Sequence, residues 1–286
     1  MPDYTVLAEK LPFGRHATFV EADETLLRVF TWRPRRARGI LLIFHGNSRN
    51  ASDYRDFAID FARAHDLVVA APLFDARHFP SRSYHRGGIV DRHGRIKPAR
   101  QWTTRYVPML VDWLRTSLGD DLRFWLWGFS AGAQFLSRVA AYQPNYQAER
   151  ILIASPSSYV LPDLDEPAPY GFADVASEAD RERMLRRYLT QPLTLYVGAA
   201  DRKVNDRSLS RSAEARRQGR DRVERAQCTF SRGMNAATAL GLEFGWRLEI
   251  EPGVAHEARA IFDPREAEKL LGLSSPVQSL QTRSID

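Results

Sequence analysis

Cysteine is all but absent. Cys228 is the only one in 286 residues, so no disulfide can close within the chain and a disulfide-stapled secreted fold is excluded. Long apolar runs are missing too. Charges interrupt every hydrophobic stretch before it reaches membrane-spanning length, and the start, Met1 to Lys10, lacks the basic flank and apolar block of a secretory signal. A cytoplasmic protein with no membrane partner is the expectation. The chain shows neither an internal repeat nor a low-complexity block, and His65, His78, His85 and His93 have no partners at metal-ligand spacing; neither a metal nor an organic cofactor is expected. What is present is an ordinary globular composition, 44% hydrophobic and 27% charged, in a chain long enough for a large core.

Basic residues exceed acidic ones, 41 to 35, for a net charge of +6. A nucleic-acid partner would need those cations on one face. Instead Arg207, Arg211, Arg216, Arg217, Arg220, Arg222 and Arg225 are interleaved with Asp206, Glu214, Asp221 and Glu224, a pattern that predicts a solvated surface and no nucleic-acid binding.

Short β-branched or aromatic runs alternate with helical patterns. Arg15 to Glu21 and Leu27 to Trp32 predict an opening antiparallel pair. Gly39 to Phe44 has no polar alternate positions and reads as a strand buried on both faces. Further strands are expected at Leu67 to Ala71, Leu122 to Trp127, Arg150 to Ala154, Leu193 to Val197 and Trp246 to Ile250. Helices are expected at Tyr54 to His65, Thr103 to Ser117, Ser130 to Tyr142 and Glu257 to Leu271. The βα rhythm predicts one α/β domain over residues 1–273, a mostly parallel sheet with helices on both faces, then a polar tail over 274–286. Two inserts, near 75–101 and 156–190, break the rhythm after strands. In such sheets the ligand crevice is built beyond the carboxyl ends of the strands, so both inserts are assigned to the substrate pocket.

The strongest chemical signal is Gly128-Phe129-Ser130-Ala131-Gly132, between a hydrophobic strand and an amphipathic helix. A nucleophilic serine on a sharp strand-to-helix turn needs small neighbours, and the turn aims a helix N-terminus at the oxyanion formed on attack. The bland alternative is a serine that merely caps the helix. A serine hydroxyl also needs a base, and the base needs an orienting acid. His256, in Pro252-Gly253-Val254-Ala255-His256-Glu257, follows the last strand in a short loop and is the candidate base. Asp201 follows the strand ending Leu195-Tyr196-Val197-Gly198 and is the candidate acid, with Asp206 its main competitor and Asp163, Asp165 and Asp174 further back. His16, His65, His78, His85 and His93 read as structural or surface residues. After an early strand stands His45-Gly46-Asn47-Ser48-Arg49-Asn50, where Gly46 allows close backbone approach. The N–H groups of Asn47 and Ala131 are the expected oxyanion donors, and His45 is expected to hydrogen-bond within its loop. Trp102, Tyr159, Tyr170 and Phe172 are the candidate substrate-binding rings, with ordinary loop packing as their alternative. Arg82, Arg86 and Arg105 could favour an acidic acyl group or form a solvated rim.

These pieces, H-G-N-S-R-N-A-S-D-Y-R-D, G-F-S-A-G, Pro169-Tyr170-Gly171, Y-V-G-A-A-D and P-G-V-A-H, together resemble the poly(3-hydroxybutyrate)-depolymerase-like, LpqC-type esterases of the α/β-hydrolase superfamily, from about Arg38 to Leu271. The resemblance implies an α/β-hydrolase fold and a serine carboxylesterase. Ser130 would be the nucleophile, His256 the base, Asp201 its partner, and Asn47 with Ala131 the oxyanion donors. Ala255 stands where the family usually has glycine, which stiffens that loop. The expected substrate is a small or oligomeric ester. Thioesterase, sugar-acetyl or feruloyl-type esterase and peptidase activities share the same parts, and a non-catalytic binding scaffold is the alternative from another class.

Overall fold

The computed structural model describes residues 10–22, 25–143 and 147–273, so the polar tail expected over 274–286 lies outside the described residues. Eight strands form one sheet: β1 (Gly14–Ala22), β2 (Thr25–Arg33), β3 (Gly39–Phe44), β4 (Leu67–Pro72), β5 (Arg123–Phe129), β6 (Arg150–Ala154), β7 (Leu193–Gly198) and β8 (Arg247–Glu251). Their order is β1-β2-β4-β3-β5-β6-β7-β8, with β1 and β2 antiparallel to their neighbours and all later pairings parallel. Every residue of β3, β4 and β7 is buried, as the apolar runs of β3 and β4 require of strands covered on both faces, and the one polar residue of β7, Thr194, donates to the Leu270 carbonyl.

The helices are α1 (Ala51–Phe57), α2 (Ile59–Ala64), α3 (Tyr106–Leu118), α4 (Ala131–Tyr142), α5 (Glu178–Thr190), α6 (Ala213–Gln218), α7 (Arg222–Ala239) and α8 (Pro264–Leu271). Two apolar cores lie against the sheet. Tyr54, Phe61 and Leu270 bring α1, α2 and α8 to one, while Leu110, Phe135, Leu185 and Val223 bring α3, α4, α5 and α7 to the other.

Several expectations are corrected. The helix expected from Tyr54 to His65 is two, divided at Ala58. The closing helix begins only at Pro264, after a 3-10 stretch over Ala258–Phe262, because proline has no N–H to continue a helix yet suits its first position, here capped by Asp263. The second insert is not irregular throughout: Ser177 accepts from the Asp180 N–H and starts α5. Residues 222–239, whose mixed charges predict a solvated surface, form the longest helix among the described residues, with Val223, Ala226, Gly233 and Ala237 on its buried side.

The topology positions the site. Chain order runs outward from β3 in both directions, to β4 on one side and β5 on the other. The loops leaving β3 and β5 therefore meet at a switch point, where such sheets open a crevice.

Candidate active site

β5 runs through Phe129 directly into Ser130, whose φ of +53° and ψ of −106° are sparsely populated for any residue with a Cβ. Neighbouring contacts hold this conformation. The Ser130 N–H donates to the Ala154 carbonyl at 2.8 Å, tying the turn to β6. The sharpness of the turn explains its glycines: a Cβ on Gly132 would lie 2.0 Å from the Phe44 carbonyl oxygen, and one on Gly128 would lie 2.5 Å from that of Gly132. Ser130 stands at the N-cap of α4 but caps nothing with its side chain.

Its Oγ instead lies 3.1 Å from His256 Nε2, and His256 Nδ1 lies 2.7 Å from Asp201 Oδ2. The three residues named from the sequence are brought together in one hydrogen-bonded line. Gly198 lets two loops approach, since a Cβ there would meet the Val254 carbonyl oxygen at 2.2 Å. The Ala200 N–H then donates to that same carbonyl at 2.9 Å, fixing the Asp201 loop against the His256 loop. The imidazole rests on the Phe129 ring, centroids 4.7 Å apart. Asp201 is 2% exposed and Ser130 6%, whereas the His256 side chain keeps 23%, so the line runs from the interior to an accessible imidazole edge.

Gly46 stands beside Ser130: a Cβ on it would lie 3.9 Å from Ser130 Cβ. Asn47 follows it on the loop leaving β3, and Ala131 opens α4, where the first amides have no partner within the helix. The two expected oxyanion donors are thus the residues that follow Gly46 and Ser130 in the chain. His45 is structural. Its Nε2 accepts from the Phe74 N–H at 3.0 Å, so the ring proton is on Nδ1, which donates to the Gly46 carbonyl at 2.9 Å. Burial lowers its pKa to about 4 and keeps it neutral.

Two of the four candidate rings, Trp102 and Phe172, lie away from this opening. Trp102 and Phe172 pack against Tyr142, the last residue of α4 and about 18 Å along that helix from Ser130. Trp102 donates to the Lys97 carbonyl and borders cavities of about 560 and 760 Å³, neither lined by Ser130 or His256. Tyr170 is enclosed beneath Arg138 and bonded to the Ser212 hydroxyl, and Tyr159 is fully buried. The loops wrap α4 and spend Trp102 and Phe172 on their own packing.

Sequence reasoning missed the cations here. Arg222, read as solvated, is 1% exposed and donates from Nη1 to Asp201 Oδ1 at 3.1 Å and to Asp206 Oδ2 at 3.2 Å, and from Nη2 to Ser208 Oγ at 2.6 Å. Burial alone would raise the Asp206 carboxyl, but hydrogen bonds from Ser208 and the charge of Arg222 outweigh it and bring it to about 2. Asp206, the rival acid, therefore faces Arg222. His85 is also more enclosed than expected, and burial with the charges of Arg49, Arg138 and Arg86 lowers its pKa to about 3. Its Nε2 is buried without a hydrogen-bond partner.

No protein-family model matches the chain, and no curated protein sequence matches it. Among solved structures, poly(aspartic acid) hydrolase-1 from Sphingomonas sp. KT-1 superimposes with a TM-score of 0.84 at 32% identity, covering 92% of this chain and 100% of that one. LpqC, a poly(3-hydroxybutyrate) depolymerase from Bordetella parapertussis, also gives 0.84, at 29% identity over 96% of this chain and 98% of its own. The siderophore hydrolase EstA from Aspergillus nidulans, at 0.54 and 13% identity over 95% and 97%, shares the fold.

Proposed function

Since the chain belongs to the α/β-hydrolase family, in its LpqC-like group, we propose that it is a serine hydrolase that cleaves carboxylic esters through an acyl-enzyme on Ser130. The observation that carries this reading is the line from Ser130 Oγ through His256 to Asp201, at 3.1 and 2.7 Å. Ser130 Oγ attacks the ester carbonyl carbon as its proton passes to His256 Nε2. Asp201 Oδ2 accepts from Nδ1–H, holding the tautomer and stabilising the imidazolium. The oxyanion receives the N–H groups of Asn47 and Ala131, each worth about 3 kcal/mol in the transition state. The tetrahedral intermediate then expels the alcohol, which takes the proton from His256. Water, activated by the same imidazole, releases the acid and restores Ser130. No step calls for a metal or an organic cofactor.

A second reading, cleavage of an amide link in an acidic chain, is favoured by the exposed Arg82 and Arg86 on the insert that carries His85, and by the poly(aspartic acid) hydrolase likeness. The test is turnover of a p-nitrophenyl ester series, with poly(aspartate) alongside, by wild type and Ser130→Ala. Short esters are expected to turn over, with a loss of about a thousandfold or more in the variant. Comparable activity in a folded Ser130→Ala protein would overturn both readings.

A further inference from the structure

Arg222 is the first residue of α7, just after its N-cap Asp221. A cation at that end meets the positive end of the helix dipole, and at 1% exposure it has little water to shield it. Its place is sustained by two carboxylates, Asp201 and Asp206, and the Ser208 hydroxyl. The two oxygens of Asp201 are thereby divided: Oδ1 takes Arg222, and Oδ2 takes His256.

We propose that Arg222 is a positioning residue for the Ser130 reaction, fixing the rotation of the Asp201 carboxylate and tempering the charge it presents to His256. The proposal rests on the serine-hydrolase reading above. A carboxylate bound only through Oδ2 could turn about its Cβ–Cγ bond and let the imidazole drift from Ser130. The guanidinium blocks that turn by holding the opposite oxygen from a second element, and Asp206 with Ser208 holds the guanidinium in turn. Through Asp201, Arg222 also sets how strongly the imidazolium is stabilised, because part of the carboxylate's field ends on the guanidinium. The charged groups placed to act on His256 are Asp201 with Arg202 and Asp206 on the acid loop, Arg222 and Asp221 at the start of α7, with Arg202 paired to Asp221 at 3.3 Å, and Glu257 next in the chain; Ser130 contributes no charge.

The test is the pH profile of kcat/KM on a short ester for wild type, Arg222→Met and Asp206→Asn, each checked for folding by circular dichroism. In Arg222→Met, Asp201 acts on the imidazole with its full charge. The acid limb is expected to move up by about half a pH unit or more, and kcat to fall by up to about a hundredfold with little change in KM. Asp206→Asn removes the competing carboxylate, Arg222 leans wholly on Asp201, and the acid limb is expected to move the other way. Arg222→Lys, keeping charge without the fork, is expected to restore the limb more than kcat. If Arg222→Met does not fold, the downward displacement in Asp206→Asn carries the test. Limbs that stay with wild type in folded variants would overturn the proposal. Should Ser130→Ala be inactive while the limbs do not move, only this inference fails; an active Ser130→Ala would remove the reading beneath it.

Discussion

Arg222 and Arg225 stand one turn apart on α7, each 1% exposed, yet they hold their charges in different ways. Arg222 is met by two carboxylates and a hydroxyl. Arg225 donates instead to three backbone carbonyls, those of Gly219, Ser157 and Ser210. Burial, then the neighbouring Arg222, lowers the Arg225 pKa to about 10, still charged at neutral pH. Arg138 on α4 follows the second pattern, spanning the carbonyls of Pro169, Gln134 and Ser158. The difference teaches how the fold uses cations that look alike in sequence. One held by dipoles clamps loops together, whereas one held by carboxylates is tied to the ionic state of its partner, here Asp201, which is also bonded to His256.

The largest expected effect breaks that distinction at its charged end. Arg222→Met leaves Asp201 buried and uncompensated, and urea unfolding should show a loss of about 3–5 kcal/mol. Adding Asp201→Asn should recover much of it; a double variant no more stable than the single one would show that the pair is not the source.

His45 supplies a third arrangement, a buried group that stays neutral. Its pKa is about 4 in the fold against an ordinary value of 6.5, so below pH 6.5 the unfolded chain binds a proton that the folded chain refuses. The stability held above pH 6.5 is then lost progressively as pH falls toward 4, by up to about 3 kcal/mol. Thermal melts should find His45→Asn less stable than wild type at pH 7, with the gap narrowing on acidification; a gap independent of pH would contradict this.

The smallest effect is expected at Arg225. Arg225→Met strands three carbonyls but no charge, costing about 1–3 kcal/mol. Combined with Asp201→Asn its cost should simply add, and a coupling as large as that of Arg222 would erase the comparison.

What was legible in the sequence was what local rules impose. The buried strands declare themselves by unbroken apolar runs, and Ser130 by the glycines its turn requires. Asp201 and His256 follow from lying just beyond strand ends, where the switch-point geometry gathers loops. The rest depended on partners distant in sequence. Nothing local distinguishes Arg222 from Arg220, which pairs at the surface with Glu224, because the contact with Asp201 spans 21 residues and needs α7 to be folded against β7. The α7 pattern was hidden by the charges of its first turn, although Val223, Ala226, Gly233 and Ala237 already share a helical face. Trp102 and Phe172 were misplaced for the opposite reason: a ring in an insert suits a pocket wall and a packing contact equally well, and only the position of Tyr142 decides.

Labelling with a fluorophosphonate, followed by mass mapping of the modified residue, tests the central claim most directly. The account predicts a single phosphonylated site at Ser130, abolished in Ser130→Ala and strongly slowed in His256→Ala. A folded wild-type protein that takes no label, or takes it at another serine, would contradict it.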